Sequence, residues 1–384
     1  MQKIVYVLNT LATPGGIERI VIDKITYLLE SGKYQVGAIV TSDESQVEPF
    51  FAYPQGFECN YALSWGSFVK TVRKMRPDVL VFTRPFFLEN ALVSILFPKI
   101  HRCVELHACY EVFLYGENFF QGCRNKDQSF ERMANYVFPY VTLILSAQRD
   151  LISWKYPNTR VIPNFTTQRA VQCASKCEKT VISVGRLVPQ KGYDQLIDAW
   201  VIVHKKHPQW HLRIYGDGLL REQLQEQIKN LDLEELVHLE GFSRNLEEAY
   251  SKASLYVMSS LYEGFGIVLV DAMKHGLPCV SYDLPSGPAD IITNEEDGFL
   301  CEYQNIQDLA DRICDLLDDE NLRNKMSAKA KQKVTRFLPS SVMPIWFELF
   351  DDFADKKHHR TCSEFRDSLV VLYKYFKAYL KNGK

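Results

Sequence analysis

Residues 258–280, MSSLYEGFGIVLVDAMKHGLPCV, leave few choices of fold. The apolar run Leu255–Met258 ends in Ser259-Ser260, which reads as a buried strand delivering the chain into a loop. Glu263-Gly264-Phe265-Gly266 then opens an apolar helix over Ile267–Lys274, stopped by Gly276 with Pro278 beyond it, and a second strand is expected at Cys279–Tyr282. In a strand, glycine turn and helix of this kind, the free N–H groups of the first helical turn point to the strand's carboxyl end, where open α/β sheets bind anions. A diphosphate fits there. Glu263 precedes the helix and Asp271 lies roughly 7 Å along it at ~1.5 Å per residue, so one acid is placed for sugar hydroxyls and the other for ribose. A capped helix carrying surface acids fits the same stretch.

The rest of the chain repeats the pattern. Strands are expected at residues 3–8, 34–40, 57–61, 79–82, 102–106 and 141–145, with helices at 17–30, 68–75 and 88–96 between them. After Val161-Ile162-Pro163-Asn164 the periodicity lapses, and a polar stretch over 166–178 suits a linker. A second series follows, with strands at 181–184, 211–215 and 237–239 and helices at 195–204 and 219–231 before the opening unit, and segments 287–292 and 298–300 with a helix at 306–317 complete the domain. Such alternation implies α/β domains with mostly parallel sheets: 1–165, then 179–338, then helical segments over 339–384 that cross back to the first domain. The aromatic segment 110–138, with Phe113, Leu114, Tyr115, Phe119 and Phe120, reads either as a lid or acceptor-side wall or as core packing.

Composition narrows the function classes. The 384 residues carry a formal net charge of −2, which leaves no domain-wide basic excess for nucleic acid, so any anion site is local. The first residues, MQKIVYVLNTLATPGG, read as a strand rather than a signal peptide, and no apolar run reaches the length of a membrane span. With ten cysteines in no paired framework, reduced thiols and a cytoplasmic location are expected. Cys173 and Cys177, or His358, His359 and Cys362, lack a second ligand pair, and Asp-x-Asp is absent, so no metal and no cofactor are expected. The incomplete dinucleotide and P-loop patterns argue against dehydrogenases and P-loop kinases. The two acids straddle an anion site rather than flank a glycosidic bond, against a glycoside hydrolase.

The strand at 181–184 ends in Gly185-Arg186, with Lys191-Gly192 in the next turn. Arg offers phosphate a planar fork and Lys a mobile point charge, and together they offset charge on a departing nucleotide. At this point the segments SVGRLVPQKGYDQLIDAW, IYGDGLLREQL, LEGF and SSLYEGFGIVLVDAM resemble the signature of retaining family-4 glycosyltransferases; PGGIERI and VELHACYE match the same family's first domain. The resemblance implies the GT-B fold, two Rossmann-like domains facing across a cleft. It implies that Arg186 and Lys191 hold the donor diphosphate and that Glu263 binds the donor sugar. The amides from Phe265 through Gly266 and Ile267 to Val268 would meet phosphate, and Asp271 the ribose. It also places Gly15, Gly16, Gly185 and Gly264 against the donor, Gly241 and Phe242 beside the base, and His107 at the sugar's outer hydroxyl or the acceptor. Two positions depart from the pattern: the second acid is Asp271 where the family has Glu, and Phe165 follows IPN where it has Gly.

The segment SYDLPSGPADIITNEEDGFL resembles members that use UDP-sugars to build bacterial polysaccharide or lipid-linked glycan. The expected partners are therefore a nucleotide-sugar donor and a glycan or lipid-linked acceptor. An epimerase of the same fold and a silent donor-binding subunit are the competing expectations. Residues 356–384 hold eight Lys or Arg against Glu364 and Asp367, with Phe365, Leu369, Leu372, Phe376 and Leu380 at helical spacing. This tail fits either a helix packed on the body with solvated lysines or one resting on an anionic membrane at the inner face, aided by Lys70, Arg73, Lys74 and Arg76.

Overall fold

Strands covered on both faces are apolar almost throughout, and in the computed structural model such runs form two sheets in which every paired strand is parallel. The structure describes residues 1–44, 47–115, 128–167, 178–243, 245–355 and 361–382. The first domain runs β1 Gln2–Leu8, α1 Gly16–Glu30, β2 Tyr34–Val40, β3 Glu58–Tyr61, α2 Trp65–Met75, β4 Val79–Phe82, α3 Phe87–Leu96, β5 His101–Leu106, α4 Tyr110–Tyr115, α5 Gln128–Val137, β6 Thr142–Leu145 and β7 Thr159–Val161. The second opens with β8 Thr180–Val184, α6 Tyr193–Lys206, β9 His211–Tyr215, α7 Arg221–Asn230, β10 Val237–Gly241, α8 Glu247–Lys252 and β11 Leu255–Met258. It closes with α9 Ile267–Lys274, β12 Cys279–Tyr282, α10 Pro288–Ile291, β13 Gly298–Cys301, α11 Ile306–Asp318 and α12 Glu320–Lys333. Helices α13 Pro339–Asp355 and α14 Cys362–Asn382 follow.

Both sheets reverse their winding beside a first strand. The orders are β3-β2-β1-β4-β5-β6-β7 and β10-β9-β8-β11-β12-β13, so β1 lies next to β4 and β8 next to β11. Loops leaving two such neighbours diverge to opposite faces and open a crevice at the strands' carboxyl ends. The sequence elements singled out above, Gly185-Arg186 after β8 and Glu263-Gly264-Phe265-Gly266 after β11, therefore flank one crevice.

The junction between domains is packed rather than solvated at its start. Thr166 is fully buried, and its amide donates to the carbonyl of Phe337 at 3.0 Å. Phe165, where a glycine was expected, is buried and meets Tyr27 of α1 edge-on at 5.7 Å. The side chain thus fills a contact that glycine would leave open. Residues 168–177, with Cys173 and Cys177, lie outside the described residues, as do His358 and His359.

Helix α13 returns to the first domain, where Trp346, Leu349 and Phe350 join the core that holds Tyr34 and α1. Helix α14 packs on α3 and α5, and of the apolar face read from its spacing Leu372 alone, among the described side chains, packs against the first domain's core. Its buried face is Glu364, Ser368 and Val371, while Phe365, Leu369 and Phe376 are exposed. The reason is electrostatic: Glu364 is buried in an ion pair with Arg102 and accepts from Ser94 at 2.8 Å, which fixes the helix rotation. Tyr140 donates to Asp367 at 2.7 Å on the same side. The side chain of Leu380 lies outside those described.

The aromatic segment resolves into α4 and α5. Phe113 stacks on Phe130 at 5.3 Å and meets Trp154 edge-on at 5.6 Å, within the first domain's packing. Phe119, Phe120 and the side chains of Leu114 and Tyr115 lie outside the described residues.

Candidate active site

The loop after β8 is fastened to the loop after β11 before either reaches its helix. Leu261 N–H donates to the Gln190 carbonyl at 2.8 Å, Gln190 Nε2 to the Tyr262 carbonyl at 3.0 Å, and Ser259 Oγ to the Lys191 carbonyl at 2.9 Å. Gly192, at φ +57°, passes so close that an added Cβ would stand 2.3 Å from the Ser259 carbonyl oxygen. This zipper brings Lys191 Nζ to 2.5 Å from Glu263 Oε1, which also accepts from Ser260 Oγ at 2.8 Å. An ammonium has three N–H groups, so two remain for phosphate oxygens. Arg186, next in sequence to Gly185, is exposed, and its guanidinium makes no hydrogen bond or ion pair with a described residue. Gly185 gives the Lys191 stem its path, since an added Cβ would lie 3.1 Å from Lys191 Cε.

Helix α9 starts at Gly266, whose φ of +91° is left-handed backbone that glycine adopts without strain. With no side chain capping this end, the amides of Ile267 and Val268 stand at a helix start suited to an anion. The ring of Phe265 is buried and meets Phe337 edge-on at 5.5 Å, so only its backbone is a ligand candidate.

Across the cleft the first domain presses on this turn. A Cβ on Gly264 would stand 2.2 Å from the His107 carbonyl oxygen, and one on Gly16 would stand 3.8 Å from Ile267 Cγ2. Gly15 caps α1, with the Glu18 carboxylate folded over it. The His107 side chain is 6% exposed and its Nε2 lies 3.3 Å from Glu105 Oε2, off the line of a hydrogen bond. Glu105 also takes Lys24 Nζ at 2.7 Å, inside the core and over the face of Trp346. Burial works against ionisation of Glu105, but the Lys24 ammonium and His107 outweigh it and hold the carboxyl below its ordinary range. Farther out, Gly241 ends β10 at φ +77°, and the exposed ring of Phe242 meets Phe50 of the first domain edge-on at 5.7 Å.

Asp271 stands apart from its expected surroundings. Its Oδ2 accepts from Arg19 Nη1 at 2.8 Å, and its Oδ1 accepts from Arg19 Nη2 at 3.1 Å and from Thr166 Oγ1 at 2.7 Å. Burial disfavours the charged form, but Arg19 and Thr166 hold the carboxyl below its usual range. The ribose position of the sequence pattern is thus shared by two domains and the junction. Arg19, Thr166 and Ser260 were missed as site residues. Arg19 had a signal, an unexplained cation in PGGIERI; Thr166 and Ser260 had none.

Residues 164–333 match the family described as glycosyl transferases group 1. The match spans the second domain from β8 through α12. The exopolysaccharide phosphotransferase of Streptomyces coelicolor is 36% identical over 202 residues, 52% of this chain and 21% of that protein. The chain therefore spans about a fifth of that relative. A Campylobacter jejuni relative, N-acetylgalactosamine-N,N'-diacetylbacillosaminyl-diphospho-undecaprenol 4-alpha-N-acetylgalactosaminyltransferase, is 26% identical over 88% of this chain and 96% of its own length. Among solved structures, a mutant of Staphylococcus aureus TarM in complex with fondaparinux, alpha-GlcNAc-glycerol and UDP superposes with a TM-score of 0.75 at 16% identity, over 91% of this chain and 100% of that one. The two sheets and their helices form the GT-B fold.

Proposed function

We propose that this chain is a retaining glycosyltransferase that moves a hexose or N-acetylhexosamine from a UDP-sugar to a glycan or lipid-linked acceptor in the synthesis of bacterial surface polysaccharide. One observation carries the reading. Lys191 meets Glu263 at the β8/β11 switch point, where Arg186 follows β8, α9 begins after β11 and the His107 carbonyl of the other domain lies against Gly264. In this reading the diphosphate lies on the α9 amides with Arg186 and Lys191 offsetting its growing charge as the glycosidic bond breaks. Glu263 orients the sugar. The acceptor hydroxyl attacks on the face from which the nucleotide leaves and gives its proton to the leaving phosphate, so no protein nucleophile is assigned. The two protein cations do the work a divalent ion would do elsewhere.

In this proposal the acceptor side lies at the inner face of an anionic membrane. Leu369, Tyr373 and Phe376 of α14 are 46%, 65% and 47% exposed, and Trp65 of α2 meets Phe376 at 5.4 Å, so the exposed apolar stripe joins the two helices. Exposed Lys70, Arg73, Arg366 and Lys377 lie on the same two helices. No described helix is long and apolar enough to cross a membrane, and an apolar stripe rimmed by cations suits a surface helix.

Nucleotide release from a panel of UDP-, GDP- and ADP-sugars, with and without bacterial lipid extract, tests the proposal. Release that needs the extract, survives chelation and yields a product of retained anomeric configuration is expected. Acceptor-free turnover of donor would point to an epimerase. No release with any donor and extract would point to a silent subunit, and loss on chelation restored by Mg²⁺ would overturn the metal-free reading.

A further inference from the structure

Helices α1 and α9 come from different domains, yet their amino-terminal turns meet where Gly16 passes Ile267, and one turn further in they share the pair Arg19–Asp271. The contact is bidentate, the geometry in which Arg and carboxylate hold each other most firmly. The two partners are unequally covered. Asp271 keeps 10% of its side-chain surface, whereas Arg19 keeps 33%. Counting lone pairs gives the same asymmetry: Oδ1 already accepts from Arg19 and Thr166, while Oδ2 accepts once. The guanidinium has five N–H groups. Two are used on Asp271, a third contact, to Thr166 at 3.5 Å, is at the limit of a hydrogen bond, and Nε lies 3.8 Å from Asp23 Oδ2, which leaves the second N–H of Nη1.

We infer that Arg19 is a donor-binding residue, and that the Arg19–Asp271 couple, rather than Asp271 alone, holds the ribose diol of the nucleotide sugar. The inference rests on the glycosyltransferase reading above. A carboxylate alone only accepts hydrogen bonds, whereas each hydroxyl of a vicinal diol both donates and accepts. The couple supplies both: the remaining N–H of Arg19 Nη1 and the open lone pair of Asp271 Oδ2. It also accounts for the aspartate. A side chain one methylene shorter than glutamate reaches less far into the cleft, and the space it vacates is taken by Arg19. Because the two residues sit on different domains, the ribose site is complete only when the domains are together, so donor binding and domain closure draw on the same contact.

Calorimetric titration with UDP and with 2′,3′-dideoxy-UDP tests this, repeated with the GDP and ADP pairs. The affinity ratio of the two ligands reports the diol contact and does not depend on what fraction of a variant is folded. For wild type the ratio is expected to be tenfold or more. It should fall to near one in Arg19→Ala and remain intermediate in Arg19→Lys, which keeps the charge but loses the fork. A ratio unchanged in both variants overturns the inference and leaves Arg19 as a tie between domains. Absence of binding by any nucleoside diphosphate to wild type overturns the donor-site reading, and this inference with it.

Discussion

Lys191 Nζ lies 2.5 Å from Glu263 Oε1, joining residues 72 positions apart through adjacent strands of one sheet. The pair does two things. It ties the loop after β8 to the loop after β11, and it fixes the ammonium with two N–H groups left over. Ser260 holds the same carboxylate oxygen at 2.8 Å, leaving Oε2 without a hydrogen bond among the described residues. A sugar hydroxyl meeting Oε2 would therefore find a carboxylate whose position is already set.

Gly264 passes the first domain so closely that an added Cβ would stand 2.2 Å from the His107 carbonyl oxygen. Gly264→Ala must push His107 away from the turn before α9 or displace the turn itself. Turnover is expected to fall about a hundredfold, the usual effect of a misplacement near 1 Å, while thermal unfolding of the variant stays close to wild type. Full activity in Gly264→Ala would show that the cleft does not need this approach.

Much of this fold is legible in the sequence because parallel strands are apolar throughout and their glycine turns are conspicuous. Helix α12 was not, since ENLRNKMSAKAKQK buries only Met326 and Ala330 and shows no apolar period. The rotation of α14 was hidden too, because Glu364 looks like a solvated acid until Arg102 is found beside it. At the site, Arg186, Lys191 and Glu263 stood out because charged residues follow apolar strands. The partnership of Arg19 with Asp271 depends on how two domains face each other, which local pattern does not encode.

The buried pair Lys24–Glu105 gives a stability test with a definite sign. The folded-state carboxyl of Glu105 is pulled below its ordinary value of 4.5 to about 2. Its contribution is therefore present at neutral pH and is lost as pH falls from about 4.5 toward about 2. Glu105→Gln leaves Lys24 buried without its counter-charge and should cost about 3–5 kcal/mol at pH 7. Urea unfolding across pH should show the gap between variant and wild type narrowing as acid is added. A gap that is constant with pH would mean that Glu105 is not held ionised by the fold.

The exposed stripe on α14 gives a second test, by sedimentation with vesicles containing anionic lipid. Binding is expected at low salt, declining as salt screens contributions of about 1 kcal/mol per cation. Leu369→Ser with Phe376→Ser should weaken it while leaving the Arg102–Glu364 anchor in place. Unchanged binding in the double variant, or none at low salt, would remove the membrane from the account.

The central claim is that Arg186 and Lys191 stabilise a departing diphosphate, and steady-state kinetics of Arg186→Ala and Lys191→Ala on an active donor test it most directly. Each variant should lose roughly a hundredfold in kcat, about 3 kcal/mol of transition-state stabilisation, with a much smaller rise in donor KM. Near wild-type kcat in both variants would contradict the account.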